Sequence, residues 1–168
     1  MSDKKTFNLY NSYAKELHEI SEKCIPTGFK QAEFLLKNYG LAEKLGFTKD
    51  FLDSKKCLNI FSGNSLLKNS QPIAQGYSGH QFGHFNPQLG DGRAILLGEI
   101  NDMDVQLKGI GQTPYSKRGD GKSALGPVLR EYMISEFMHA VKIPTTRSLF
   151  ALKTNENVIR ETELPGGV

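Results

Sequence analysis

Tryptophan is absent, cysteine occurs twice, and no long apolar run interrupts the 168 residues. Each scarcity excludes something. Cys24 and Cys57 lie far apart without a CxxC spacing. That rules out a disulfide framework, and two thiols cannot by themselves complete a structural zinc site. Both are expected as reduced thiols in a reducing compartment. No apolar stretch approaches the ~20 residues that a membrane span needs. Residues 1–5 are followed by no apolar signal region, and early acidic residues speak against a transit peptide, so a cytoplasmic protein is the simplest reading. A dominant charge is lacking too: 21 Lys and Arg face 18 Asp and Glu, a net +3 spread along the chain. This is too mild and scattered for nucleic-acid binding, yet it would not repel an anionic ligand. No repeat or low-complexity tract appears, and the length suffices for one domain with a real core.

Glycine is what the sequence has in quantity, 17 residues clustered toward the middle. Residues 89–131 organise the chain. They open with Leu89-Gly90-Asp91-Gly92-Arg93, run through an apolar strand pair to Leu107-Lys108-Gly109, and continue as Gly111-Gln112-Thr113-Pro114-Tyr115-Ser116 and Gly119-Asp120-Gly121. They close on Arg130-Glu131. Glycine-rich turns let backbone N–H groups approach a polyphosphate. A lysine adds a point charge, and a helix glutamate can fix that lysine.

Along the chain, Tyr10, Tyr13, Leu17 and Ile20 are spaced for a short helix, broken by Pro26-Thr27-Gly28. Residues 32–36 suit a strand, and residues 39–45 suit one or two helical turns ending at Gly46. Residues 49–67 read as two helical pieces separated at Gly63-Asn64, with Leu58, Phe61 and Leu66 facing a core. Residues 71–92 are expected to be irregular but ordered by Tyr77, Phe82 and Phe85. A strand over 93–100, a turn at 101–103 and a strand over 104–108 put Val105 and Leu107 on one face and Asp104, Gln106 and Lys108 on the other. The strongest helix spans 124–141, with Pro127 in its first turn and an apolar stripe of Val128, Leu129, Tyr132, Met133, Phe137, Ala140 and Val141. A second hairpin is expected from 146–152 and 158–163, turning at residues 155–157.

Lys108 and Glu131 are 23 residues apart, room for one loop before the helix. By themselves they read more readily as a solvated lysine and a surface glutamate than as a phosphate-holding pair, and Glu136 competes as the lysine's partner. Arg93 offers a permanent cation with a planar fork for phosphate oxygens. Other motifs fail on spacing. Gly121-Lys122-Ser123 lacks the earlier glycine of a P-loop, where Ser116 stands. Gly109-Ile110-Gly111 lacks the third glycine of a dinucleotide fingerprint, where Pro114 stands. His80 and His84 have the spacing of a helical metal pair, but Gly83 lies between them and a third ligand is missing. Ser116, Ser123 and Tyr115 have no adjacent base that would make a nucleophile.

The text of these motifs resembles the selenoprotein O family, also called YdiU. The resemblance rests on His80-Gln81-Phe82-Gly83, Asn86-Pro87-Gln88-Leu89-Gly90-Asp91-Gly92-Arg93, Leu107-Lys108-Gly109, Gly111-Gln112-Thr113-Pro114-Tyr115-Ser116, Gly119-Asp120-Gly121 and Ile143-Pro144-Thr145-Thr146-Arg147. It implies an α+β fold like the small lobe of a protein kinase, with antiparallel strands and a packed helix. A mostly helical segment (1–70) would precede a nucleotide-binding portion (71–168) in one incomplete domain. It further implies transfer of AMP from ATP, with Mg²⁺, to Ser, Thr or Tyr hydroxyls of protein substrates. Nucleotide contacts would fall on Gly90, Gly92, Arg93, Lys108, Asp120 and Gly121, with Glu131 rather than Glu136 supporting Lys108. The family's metal ligands and base lie in a large lobe beyond Val168, so the resemblance makes this an N-terminal fragment with no catalytic residue or metal ligand of its own. The missing C-terminal part would be its partner. A non-catalytic remnant or nucleotide-binding interaction module, and a phosphotransferase on the same fold, are the rival expectations.

Overall fold

The computed structural model describes residues 9–168; the reading of residues 1–5 lies outside them. Local capping chemistry sets the short helices of the first half. In α1 (Ser12–Glu16) Asn11 accepts from the Ala14 N–H, and a 3₁₀ turn, His18–Ile20, follows. The spacing of Tyr10, Leu17 and Ile20 does not bury them: they are 45%, 42% and 47% exposed. The helix stops at Leu17, whose N–H returns to the Tyr13 carbonyl, before a continuous apolar face can form.

Asn38, Thr48 and Ser54 cap α2 (Tyr39–Lys44), α3 (Lys49–Leu52) and α4 (Lys55–Phe61), each accepting from the backbone N–H three residues on. The break expected at Gly63-Asn64 therefore falls earlier. The Ser54 hydroxyl starts α4, and Gly63 lies after its end instead of between two helices. Phe61 is buried and Leu58 packs against the core, while Leu66 is exposed.

Two four-stranded antiparallel sheets and one separate hairpin carry the rest, making the architecture α+β. The first sheet has the order β1 (Ser21–Lys23), β3 (Ile73–Gln75), β6 (Ala94–Ile100), β7 (Met103–Lys108). The second has the order β2 (Ala32–Lys37), β9 (Phe150–Ile159), β10 (Glu163–Gly167), β8 (Ser123–Ala124). The hairpin is β4 (Gly79–Gln81) with β5 (His84–Asn86). Residues 71–92 thus hold three short strands where irregular backbone was expected. β1 and β2, from the part read as mostly helical, pair with strands of the later part.

β6 and β7 are joined by Asn101 and Asp102, both at positive φ (50° and 60°). These are the dihedrals of a two-residue turn whose twist matches the strands. Val105 and Leu107 are buried, and Asp104, Gln106 and Lys108 are exposed, as the alternation requires. Ile95 and Leu97 of β6 join them in one apolar cluster with Leu41, Leu52, Cys57, Ile60 and Phe61 from the helices. Aromatic rings tie the second sheet to it: Phe150 lies 4.6 Å from Phe61 and 4.8 Å from Phe34, centroid to centroid.

Two expectations in the last third fail. Residues 155–157 do not turn; β9 runs through them, and the chain reverses at 160–162, where the Arg160 N–H donates to the Thr162 carbonyl. Pairing on both sides overrides the polar turn-like text: the Asn155 N–H donates to the Gln31 carbonyl just before β2, and Asn157 sits opposite Pro165 of β10. Helix α5 (Leu125–Ala140) buries no residue. Its half-buried residues are Leu125, Val128, Leu129, Tyr132, Ser135, Glu136 and Met138. Met133, Ile134 and Phe137 are 60%, 55% and 61% exposed. Half of the expected stripe therefore faces outward. Among the described residues no helix is long and apolar enough to cross a membrane.

Candidate functional site

Lys108 ends β7 on its exposed face, directly opposite Ala94. Its Nζ lies 2.8 Å from Glu131 Oε1 and 3.0 Å from Oε2, on the second turn of α5. The two side chains are 51% and 59% exposed. A pair this open contributes at most about 1 kcal/mol to folding, so its geometry matters more for what can approach the ammonium than for stability. Glu136 is not a competitor. It is held by Arg147, Nε at 2.7 Å and Nη2 at 2.6 Å, in a fork that also takes the Ser148 N–H. The Arg147 guanidinium, helped by smaller contacts, holds the Glu136 carboxyl below its usual range.

Arg93 immediately precedes β6, and its carbonyl accepts from the Gly109 N–H at 2.7 Å. That places it beside Lys108 in the ladder. Its side chain is exposed and has no ion-pair partner among the described residues.

Gly90 and Gly92 flank Asp91 in a turn that a second loop holds in shape. Thr113 Oγ1 donates to the Asp91 carbonyl (2.5 Å) and Ser116 Oγ to the Gly92 carbonyl (2.6 Å). The Tyr115 ring lies over Gly90, where a Cβ would stand 2.4 Å from the ring on a backbone at φ +104°. Gly90 is thus required by packing as well as by any close approach of a ligand. Asp91 itself accepts from the Gln75 N–H and from Gln106 Nε2. Burial pushes its carboxyl up, against the opposing pull of the Gln75 N–H, the Tyr77 hydroxyl and Lys108.

The loop closes on itself at Gly121. The Gly111 N–H donates to the Gly121 carbonyl, and a Cβ on Gly121 (φ +68°) would overlap the Gly111 carbonyl oxygen at 1.9 Å. Among the described residues no acceptor takes the N–H of Gly92 or of Gly121. Asp120 is already engaged: Arg160 grips it with both terminal nitrogens, at 2.9 and 3.1 Å, and the Lys122 N–H donates to it at 2.9 Å. The Arg160 fork holds its carboxyl below the ordinary range.

The structure therefore gathers Gly90, Gly92, Arg93, Lys108 and Glu131 into one patch. It joins Asp120 and Gly121 to that patch only through the intervening loop. Sequence reasoning missed Arg160, Thr113 and Asp91. Arg160 carries no local signal because 40 residues separate it from its partner. The concavities lined by Gln31, Glu33 and Lys153, and by Tyr39, Phe47 and Leu52, include none of the expected site residues. His80 and His84 stand on the two strands of a hairpin, not on one helix turn. Among the described residues no group of three or more His, Cys, Asp or Glu could hold a metal ion. Ser116 is spent on the Gly92 carbonyl, and Ser123 is buried.

The family described as Protein adenylyltransferase SelO matches residues 5–166. Proteins named Protein nucleotidyltransferase YdiU are similar over 96% of this chain: 50% identical in Anoxybacillus flavithermus, 51% in Bacillus cereus. The one from Rhodopseudomonas palustris is 52% identical over the same share. The chain spans about a third of the length of these relatives, 35% of the first and 34% of the other two. With a match running over nearly its whole length, the chain belongs to the SelO family.

Proposed function

We propose that this chain forms the nucleotide-holding portion of a protein adenylyltransferase, built like the small lobe of a protein kinase, that moves AMP from ATP to Ser, Thr or Tyr hydroxyls of proteins. One observation carries the reading. An exposed lysine at the end of the edge strand β7 is held by a helix glutamate, 2.8 Å away, beside a glycine turn and an arginine that has no ion-pair partner among the described residues. In a phosphate-handling cleft such a lysine neutralises and orients the polyphosphate, and the glutamate keeps it from wandering. Arg93 supplies a fork for phosphate oxygens. Among the described residues the Gly92 N–H has no acceptor, a donor that an anion would satisfy.

In the reaction, a protein hydroxyl oxygen would bond to the α-phosphorus while the bond to pyrophosphate breaks. The hydroxyl proton needs a base. Mg²⁺, when bound, would offset charge on the phosphates, but the described residues offer no ligand set for it, so no step here runs through the metal. Base and metal ligands would come from the rest of a complete enzyme, and the outward apolar side of α5 suits packing against it.

Titration calorimetry of the 168-residue chain with Mg-ATP tests the holding role. Binding is expected, with at least tenfold loss in Lys108→Ala and no change in Lys153→Ala, a lysine of the other sheet paired with Glu33. Absence of binding by the unaltered chain removes the claim of a self-sufficient half-site. In a full-length relative, protein labelling from α-labelled and not γ-labelled ATP supports AMP transfer; the reverse pattern makes it a phosphotransferase.

A further inference from the structure

The turn at Gly90, Asp91 and Gly92 has two glycines and so little backbone stiffness of its own. A peptide plane beside glycine can rotate through half a turn at small cost. Such a rotation exchanges N–H for C=O, and it would convert an anion-accepting turn into an anion-repelling one. Two hydroxyls of the neighbouring loop select one orientation. Thr113 Oγ1 donates to the Asp91 carbonyl at 2.5 Å, and Ser116 Oγ donates to the Gly92 carbonyl at 2.6 Å. Each hydroxyl has a single proton, spent on that carbonyl, and each accepts from its own loop. Thr113 Oγ1 takes the Tyr115 N–H at 3.1 Å, and Ser116 Oγ takes the Thr113 N–H at 2.8 Å. The Ser116 N–H returns to the Thr113 carbonyl at 3.1 Å, closing a tight turn in which the two hydroxyl oxygens lie 3.4 Å apart. The loop thus holds both hydroxyls, and the hydroxyls hold two successive carbonyls.

A trans peptide group points its N–H opposite to its C=O. With the Asp91 carbonyl fixed on Thr113, the Gly92 N–H is directed away from the 113–116 loop. With the Gly92 carbonyl fixed on Ser116, so is the Arg93 N–H. Among the described residues neither N–H has an acceptor, and neither Gly92 nor Arg93 is buried. We propose that Thr113 and Ser116 are the positioning residues of this turn, whose hydroxyls hold the Gly92 and Arg93 amides as a pair of donors for phosphate oxygens. Successive amides presented together make an anion-binding concavity. Because folding has already oriented them, no reorganisation is needed when the anion arrives.

The inference rests on the nucleotide reading, so one arm of its test uses no nucleotide. Amide nitrogen shifts are recorded for the 168-residue chain carrying Thr113→Val, Ser116→Ala or Thr113→Ser, with melting curves to confirm that each variant folds. An amide nitrogen responds to the hydrogen bond that its own peptide carbonyl accepts. Thr113→Val should therefore move chiefly Gly92, Ser116→Ala should move chiefly Arg93, and Thr113→Ser, which keeps the hydroxyl, should move neither far. Unmoved shifts, or changes with no preference for either amide, overturn the orienting role whether or not the chain binds ATP. In the second arm Mg-ATP affinity is measured by calorimetry. Thr113→Val and Ser116→Ala should each weaken binding about tenfold, and Thr113→Ser should stay within about twofold. Ser70→Ala is the matched control, because Ser70 Oγ also donates to a carbonyl of β6, that of Leu97, at 2.8 Å. It should lower the melting temperature and leave affinity unchanged. Full affinity in both hydroxyl-deleted variants, or an equal loss in Ser70→Ala, overturns the proposal. No binding by the unaltered chain removes the nucleotide reading alone, and the amide shifts then decide whether the hydroxyls set the turn.

Discussion

Helices α4 and α5 are attached to the same molecule by different forces. The seven residues of α4 bury Cys57, Ile60 and Phe61 in the common core, whereas none of the sixteen residues of α5 is buried. Helix α5 is instead tied down by Lys108–Glu131, by the Arg147–Glu136 fork, and by the Ser135 and Ser148 hydroxyls 2.9 Å apart. Length does not decide attachment; the chemistry of the inward face does. An apolar anchor is indifferent to ligand and to pH. A polar anchor shares its charges with its surroundings, so α5 is the helix whose attachment depends on pH and on neighbouring charge.

The sharpest way to break this contrast is at Phe61, whose ring meets Phe47 and Phe150. Phe61→Ala should cost about 3–5 kcal/mol in denaturant unfolding, by transfer and cavity terms together. Glu136→Ala, which strands a partly buried guanidinium, should cost on the order of 2 kcal/mol. A loss there below that of any exposed pair would show that the fork does not hold α5.

Acid separates the helices next. Glu136 is held below its usual range by Arg147, so the folded state binds fewer protons there than the unfolded one. That contribution is present above the ordinary glutamate range and is lost as pH falls through the depressed folded value. Amide exchange should therefore quicken in α5 as pH is lowered through the acid range, before it does in α4. Simultaneous loss of protection would sink the distinction. Smaller still, Glu131→Ala should change stability by no more than about 1 kcal/mol while weakening Mg-ATP binding, a split that calorimetry and unfolding curves measure separately. The least effect belongs to the thiols. Cys57 is fully buried and pushed up to about 12, and Cys24 is buried too. Neither should react with a thiol reagent at pH 8 until the chain is unfolded.

Much of the site was legible. The alternation of Val105, Gln106, Leu107 and Lys108 fixes which way the lysine points, since strand side chains must alternate. The 23-residue gap to Glu131 leaves room for one loop and a helix turn, and the pair meets. The 155–157 stretch misleads because its Asn-Glu-Asn text suits a turn, and only partners distant in the chain, Gln31 on one side and β10 on the other, hold it in a strand. The stripe of α5 misleads in another way: periodicity shows that a helix has an apolar side, not that anything covers it. Arg160 was invisible because an ion pair across 40 residues leaves no local trace.

By itself, then, the sequence determined what depends on neighbours along the chain: strand alternation, helix caps at Asn38, Thr48 and Ser54, the two-residue turn at Asn101 and Asp102, and the motif text that marks the family. The tertiary structure alone decided which carboxylate the arginines take: Glu136 goes to Arg147 and Asp120 to Arg160. Such choices depend on distances of a few ångströms between segments far apart in the chain, and Coulomb attraction and hydrogen bonding select among candidates only once packing has set those distances.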